Sequence, residues 1–254
     1  LTYRVRQIEE ALDVLLFDRS SRNARPTPAG KELLREGSRL LDELDAMAHR
    51  VKRVATGWES QFTIAVDGII AKPTMMELCD AFLSLAPPTR LRLRDKTLTG
   101  TLEALTSGQA DLAIGVPEPS NDRDVLGRPL GEILFVYAVA PHHRLAAAPE
   151  PLSDDLLRAH RAVAVADSLQ RGSGMTFGLL GGQDVFTVPT MLAKLDAQLR
   201  GLGGGFLPEP MARPYIAAGH LVIKTTERAN RIPRLHYAWR NTAPAPAGRA
   251  LQWW

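Results

Sequence analysis

The sequence predicts an α/β protein in which helical segments precede a larger region of alternating strands and helices. Near its start, apolar residues recur at the spacing of an amphipathic helix, and a longer heptad-spaced seam follows. From Trp58 onward, short apolar strands alternate with helical stretches, which is the pattern of a parallel α/β sheet. At 254 residues, the chain is long enough for two or three folding units.

Composition narrows the class of protein without naming a function. Hydrophobic residues make up 45% of the chain and charged residues 23%, which is ordinary for a globular protein. The single cysteine, Cys79, excludes an internal disulfide and fits a reducing compartment, and no apolar run is long enough for a membrane span. We therefore expect a cytoplasmic protein, although the chain begins at Leu1 and a signal upstream would not be visible.

The first element is predicted to be an amphipathic helix with a basic polar face. Its apolar side recurs at helical spacing through Leu1, Val5, Ile8, Leu12 and Leu15. The stretch 18–25 then places three arginines among turn-forming residues, which predicts a short basic loop or β-wing. Taken alone, such a charge run is either a solvated surface or a nucleic-acid contact.

The second element is predicted to be a long helix over 28–57. Thr27 is placed to cap it and Pro28 suits its first position, while Gly57 offers a stop. Apolar or small residues follow in alternating steps of four and three: Leu33, Gly37, Leu40, Leu44, Met47, Val51 and Val54. This seam fits either a helix packed on its own domain or a helix that pairs two subunits.

In the α/β region, proline and glycine separate seven predicted strands and five predicted helices. We expect strands at 62–66, 91–93, 111–116, 133–139, 162–166, 205–207 and 221–223. We expect helices at 73–85, 100–107, 154–158, 191–200 and 210–217.

Four stretches of the sequence resemble the LysR family of transcription regulators. The first is VRQIEEALDVLLFDR at 5–19, continued by Arg22, Arg25, Thr27 and Ala29-Gly30. The others are EALTSGQADLAIG at 103–115, the segment 134–143, and GLGGGFLP at 201–208. The resemblance implies a partial winged helix-turn-helix, a linker helix, and two α/β lobes like those of type 2 periplasmic binding proteins.

By this resemblance, residues 1–27 are the remnant of a DNA-binding domain whose earlier helices precede Leu1. Residues 28–57 form a linker helix that makes a homodimer, and the family commonly assembles as a homotetramer. The partner is double-stranded operator DNA, read by the recognition helix and wing. The residues implied in DNA binding are Thr2, Tyr3, Arg4, Arg6, Arg22, Arg25 and Thr27.

The resemblance also implies that residues 58–254 bind a small-molecule effector between two lobes. We expect lobe I at about 60–139 and 234–254, and lobe II at about 140–233, with crossings near Ala140-Pro141 and Ile232-Pro233. Ligands of open α/β lobes bind where strands end and helices begin. The candidates are Asp67, Gly68, Ile69, Thr97, Leu98, Thr99, Gly115, Val116, Asp167, Ser168, Thr187, Pro189 and Phe206.

Each candidate also has a simpler interpretation as a helix cap or a turn residue. Thr97 or Thr99 would cap the next helix, and Asp67 and Asp167 would bond their own backbone. If both aspartates face the cavity, they favour a neutral or amine-bearing effector over a simple carboxylate.

No cofactor, metal or catalytic site is expected. The glycines of 201–205 follow a helix and precede a strand, the reverse of a phosphate-binding loop, so we expect a tight turn there. His142-His143 has no further ligand at metal-binding spacing. Two alternative functions stay open at this point: a solute-binding protein of a transport system, which shares the two-lobed fold, and an α/β enzyme.

Overall fold

The computed structural model describes residues 2–18, 24–117, 124–169, 176–228, 232–241 and 246–254. The chain divides into two compact units, Leu1–Ser60 and Gln61–Trp254. Across the described ranges, no helix combines the length and the apolar character that a membrane span requires.

The first unit contains two helices joined by a small two-stranded ladder. In chain order these elements are α1 (Thr2–Leu12), β1 (Phe17–Asp18), β2 (Arg25–Pro26) and α2 (Pro28–Thr56). The two strands pair antiparallel, so the predicted basic segment is flanked by a β-wing ladder. The long predicted helix begins at Pro28, as expected, and ends one residue before Gly57.

The junction between the ladder and α2 is held by two polar side chains. Glu9 is buried, and its carboxylate accepts a hydrogen bond from the Leu16 backbone N–H at 2.8 Å. The Thr27 hydroxyl donates to the Leu15 carbonyl at 2.7 Å and accepts from the Gly30 N–H at 3.1 Å. Thr27 is therefore the N-cap of α2, as the sequence predicts.

The apolar seam of α2 lies on the surface of the first unit. Leu40, Leu44 and Met47 are each about half exposed, and Val54 is 85% exposed. Other faces of the helix carry ion pairs such as Arg35 with Glu32. A seam whose large side chains stay exposed from Leu33 to Val54 does not pack on its own domain.

The elements of the second unit follow the alternating pattern of the sequence. In chain order they are β3 (Gln61–Asp67), α3 (Lys72–Leu83), β4 (Arg90–Lys96), α4 (Thr99–Thr106), β5 (Leu112–Val116), β6 (Val125–Glu132), β7 (Phe135–Val139), the short 3-10 helix Arg144–Ala147, α5 (Asp154–Arg158), β8 (Ala162–Val165), β9 (Val185–Val188), α6 (Met191–Leu199), β10 (Gly205–Pro208), α7 (Glu209–Ala217), β11 (Val222–Lys224), β12 (Arg234–Arg240) and α8 (Arg249–Trp253).

These elements form two lobes. Lobe I is built on a five-stranded sheet in the order β4-β3-β5-β12-β6, in which β3 pairs parallel with β4 and β5, whereas β12 is antiparallel to its neighbours. Lobe II contains the antiparallel sheet β10-β7-β11 and the parallel pair β8-β9. Its core packs side chains of β7, β8, α6, β10 and α7, among them Val136, Val163, Leu195, Leu207 and Ala212.

Local signals in the sequence set the ends of α6. The Thr190 hydroxyl accepts a hydrogen bond from the Ala193 N–H at 3.1 Å and caps the start of the helix. At the other end, Gly201 adopts a φ of +72°, a conformation that glycine reaches without strain. The chain then enters β10, so the glycines of 201–205 form the predicted helix-to-strand turn.

The first crossing between the lobes differs from the expected position. The sequence predicts one strand over 133–139 in lobe I, with the crossing near Ala140. The structure instead ends β6 at Glu132 and pairs β7 with β10 and β11 in lobe II. The reason is burial, because Val136 and Ala138 of β7 belong to the lobe II core. The chain returns to lobe I at Pro233, and the Ile133 N–H donates to the Pro233 carbonyl at 3.2 Å.

Candidate functional site

A cavity of about 250 Å³ lies in the second unit and is lined by both lobes. Lobe I contributes residues from the ends of β3, β4 and β5, and lobe II contributes residues of β7, β8, α6 and β10. Apolar side chains dominate the wall, including Ile69, Phe135, Met191 and Phe206. The volume exceeds the cavity of about 150 Å³ that is known to hold benzene, so a small organic molecule fits.

Asp67 lies at one corner of the cavity, and its carboxylate accepts hydrogen bonds from other groups of the protein. One oxygen accepts from the Ile69 N–H at 3.0 Å, and the other accepts from the Leu98 N–H at 2.7 Å and the Thr101 hydroxyl at 3.3 Å. Leu98 has a φ of +54°, which is unfavourable for a leucine, and the hydrogen bond that its N–H donates to Asp67 holds it there. Burial raises the pKa of Asp67 to about 6 despite these bonds.

The two lobes meet beside the cavity at a contact between segments 97–100 and 166–168, which we call the rim contact. The Thr97 hydroxyl donates to the Ala166 carbonyl at 2.7 Å, and the Thr97 N–H donates to the Ser168 hydroxyl at 2.9 Å. The Asp167 carboxylate accepts from the Thr99 hydroxyl and from the Gly100 N–H. These hydrogen bonds connect the two lobes beside the cavity.

The structure brings together ten of the thirteen predicted effector residues. Eight of them line the cavity: Asp67, Gly68, Ile69, Thr97, Leu98, Thr99, Gly115 and Phe206. Asp167 and Ser168 lie in the rim contact. Because the carboxylates of Asp67 and Asp167 already bind donors of the protein, they give no support to the amine-bearing effector that the sequence favours.

Three predicted effector residues lie elsewhere. Val116 is buried among Leu105, Ala113 and Ala238 in the core of lobe I, because successive residues of a strand point to opposite faces. Thr187 and Pro189 are exposed at the end of β9, away from the cavity lining. The sequence analysis named 187–190 as a candidate junction but predicted no strand there, so β9 was missed and the direction in which its end faces could not be inferred.

Sequence reasoning missed Lys194, the cationic residue of the cavity wall. It lies on α6, lines the cavity and is only 6% exposed. Burial lowers the pKa of its ammonium to about 8. The available signal was its position three residues after Met191 and one before Leu195, inside the apolar stripe of the helix.

In the first unit, the predicted DNA-binding residues of α1 are presented to solvent. Tyr3, Arg4 and Arg6 are exposed, and the Tyr3 hydroxyl accepts a hydrogen bond from the Gln7 amide at 3.1 Å. Arg25 is exposed on β2. The Thr27 hydroxyl is occupied by the cap of α2, so it is a positioning residue for the wing. Arg22 lies outside the described residues, as does the side chain of Thr2.

Comparison with known proteins decides the family. The family model described as the LysR substrate binding domain matches residues 55–254, which is most of the chain. This chain belongs to the LysR family. It is 33% identical over 255 residues to the uncharacterized HTH-type transcriptional regulator YeeY of Escherichia coli K12, covering 100% of this chain and 82% of the relative. It is also 33% identical over 228 residues to the HTH-type transcriptional activator AllS of Klebsiella pneumoniae, covering 89% of this chain and 84% of AllS.

Solved LysR-type structures have the same fold. The full-length virulence activator AphB of Vibrio cholerae matches with a TM-score of 0.62 at 20% identity, covering 97% of this chain and 84% of AphB. Full-length LysG of Corynebacterium glutamicum with bound effector Arg matches with a TM-score of 0.56 at 22% identity, covering 99% and 84%. As a LysR-family member, this chain is a DNA-binding transcription regulator under the control of a small-molecule effector. The relatives are named regulators, so the transport alternative has no support.

Proposed function

We propose that this regulator is a homodimer that forms through α2, reads operator DNA with α1 and the wing, and binds its effector in the cavity between the lobes. The exposed seam of α2 is the observation that carries this proposal. A second association through the effector-binding units makes a homotetramer, and the protein acts in the cytoplasm without catalysing a reaction.

The seam suits the pairing of two parallel or antiparallel helices. Its large members are all more than a third exposed: Leu33, Leu40, Leu44, Met47, Val51 and Val54. A second copy of α2 would bury these side chains at about 25 cal/mol per Å² of apolar surface, whereas an isolated helix leaves them in water. Pairing also brings two DNA-reading units together on one operator, which a pseudo-palindromic site requires.

The DNA interface combines the exposed α1 side chains with the wing. Tyr3, Arg4 and Arg6 are exposed on α1, and we expect them to reach base edges or flanking phosphates in the major groove. Arg25 is placed to hold a backbone phosphate from the wing. Phosphate contacts fix register and orientation, while base contacts supply sequence preference.

Effector control follows from a cavity wall that both lobes share. A ligand that contacts Ile69 and Leu98 on one side and Phe135 and Phe206 on the other stabilises one lobe arrangement over others. That difference in affinity is the free energy available to change DNA binding. The bound arginine of LysG shows that a relative with this fold takes a small molecule as effector.

We expect Arg25→Ala to weaken operator binding and to reduce its dependence on salt. Losing one phosphate contact lowers the slope of log K against log salt by about 0.9, because one fewer counterion is released. The measurement is a salt titration of binding to the DNA upstream of the gene. Arg213→Ala is the control, since Arg213 is exposed on α7 and paired with Glu209. Equal slopes for the Arg25 variant and the wild type would show that the wing does not contact phosphate.

A further inference from the structure

Lys194 presents a cation to a cavity that is otherwise mostly apolar. It occupies the buried stripe of α6 beside Leu195 and Gln198, and its side chain lines the same wall as Met191 and Phe206. With 6% of its surface exposed, it has lost nearly all of its water. Lysine is among the residues least often buried without a partner, so its place here needs an explanation.

Among the described residues, no carboxylate pairs with the Lys194 ammonium. Within the described parts of the chain, Lys194 makes neither a hydrogen bond nor an ion pair. The ionisable groups around it are Asp67 in the cavity, and Tyr137, Asp154 and Arg228 in a small adjoining pocket. Asp67 binds three donors of its own lobe, and Asp154 pairs with Arg228 at 2.7 Å. Within these ranges neither carboxylate forms an ion pair with Lys194, so its ammonium is available to a ligand that enters the cavity.

We propose that Lys194 is the anion-binding residue of the effector cavity, and that the effector is a small monocarboxylic acid with an apolar body. This proposal rests on the proposed function of the cavity. The ammonium donates charge-assisted hydrogen bonds to the carboxylate, while Ile69, Phe135 and Phe206 contact the apolar body. A single cation balances one negative charge, which favours a carboxylate over a phosphate ester with nearly two charges.

Matched acid and amide pairs test the class of ligand directly. The probes are benzoate with benzamide, and 4-methylpentanoate with 4-methylpentanamide, added to the isotope-labelled full chain and followed by NMR. Ligands of this size are expected to bind with a Kd of about 1 mM. We expect each acid to bind about 30-fold more tightly than its amide and to shift signals of Ile69 and Phe135.

Variants assign this preference to Lys194. In Lys194→Met, which keeps the volume and removes the charge, we expect the acid and the amide to bind equally. In Lys72→Met we expect the preference to remain, because Lys72 is exposed and paired with Asp95 outside the cavity. An acid preference that survives in Lys194→Met overturns the proposal, as does the absence of any acid-induced shift in the wild type.

Ligand-free stability provides a second test. Removing an unpaired buried charge is favourable, so Lys194→Met is expected to raise the Tm by about 5 °C, whereas a lysine with a structural partner would lose stability on substitution. The pKa of Lys194 is about 8 in the folded protein against an ordinary value of 10.5. Between these values the unfolded chain binds a proton that the folded chain does not, so stability rises with pH across this window. The rise should be absent in Lys194→Met.

The outcomes separate this proposal from the function on which it rests. If amides or benzylamine bind in the cavity as tightly as the acids, the cavity remains the effector site and the carboxylate class is wrong. If the acids bind but shift only residues outside the cavity, both the class and the cavity assignment are wrong. A lowered Tm for Lys194→Met contradicts the idea of an unpaired cation.

Discussion

Gly100→Ala is expected to break the rim contact between the lobes. A Cβ at Gly100 would lie 2.7 Å from the carbonyl carbon of Ser168 and 2.8 Å from its oxygen, and it would overlap the Ser168 hydroxyl. Backbone cannot move aside as a flexible side chain does, so segments 97–100 and 166–168 must separate. We expect the free energy of unfolding of the second unit to fall by about 4 kcal/mol, above the usual cost of overpacking.

Hydrogen exchange and denaturant unfolding measure this effect. Protection should be lost at the amides of Thr97, Gly100 and Ser168, which donate across the rim contact. Gly181→Ala is the matched control, because a Cβ there meets nothing within 4 Å. Adding Ser168→Ala to Gly100→Ala should not restore stability, since the backbone collision remains. Unchanged protection in Gly100→Ala would mean that the lobes do not meet at these residues.

Gly30→Ala is expected to disrupt the first unit and to abolish operator binding. Gly30 lies in the first turn of α2, where a Cβ would collide with the Leu16 carbonyl and lie 3.0 Å from its carbon. The Leu16 carbonyl also accepts the Thr27 N–H at 2.9 Å, so it cannot turn away without releasing the wing. We expect a loss of about 4 kcal/mol in the first unit and at least 100-fold weaker DNA binding.

Gly37→Ala on the same helix is expected to raise stability, whereas Gly30→Ala is expected to lower it. A Cβ at Gly37 meets nothing within 4 Å, and alanine stabilises a helix interior by about 1 kcal/mol relative to glycine. Thermal unfolding, monitored by circular dichroism, measures the stability of both variants under the same conditions. If Gly30→Ala bound the operator as well as the wild type does, the wing would not need its close approach to α2.

The elements that sequence reasoning found are those with strong local signals. Pro28 follows a capping threonine, and the seam recurs at heptad spacing from Leu33 to Val54 with only Gly37 as a weak point, so α2 was predicted within one residue at its end. The ends of α5 agree with the prediction because the Ser153 hydroxyl caps the helix by accepting a hydrogen bond from the Leu156 N–H. Such signals depend only on neighbours in the chain, and a single sequence contains them.

The elements that were missed depend on distant partners. β6 carries Gly127, Pro129 and Gly131, which a local pattern assigns to loops, yet it pairs along β12 at the edge of the lobe I sheet. β7 was assigned to the wrong lobe because its apolar run fits either core. For the site, strand ends indicated ten of the residues that come together, whereas Lys194 was not singled out although it lies inside the apolar stripe of its helix. Only the packing of α6 against β10 shows that its side chain faces the cavity.

The paired crossings also determine how the lobes can move. The chain passes between lobes at 133–134 and again at Pro233, and the hydrogen bond from Ile133 to Pro233 ties the two passages together. Two connections that run side by side act as one hinge, so the lobes retain a single rotation about it. Effectors of different size then hold the two lobes at different angles about this hinge. A regulator built this way would grade its response to a series of related ligands, and weak ligands would act as partial inducers.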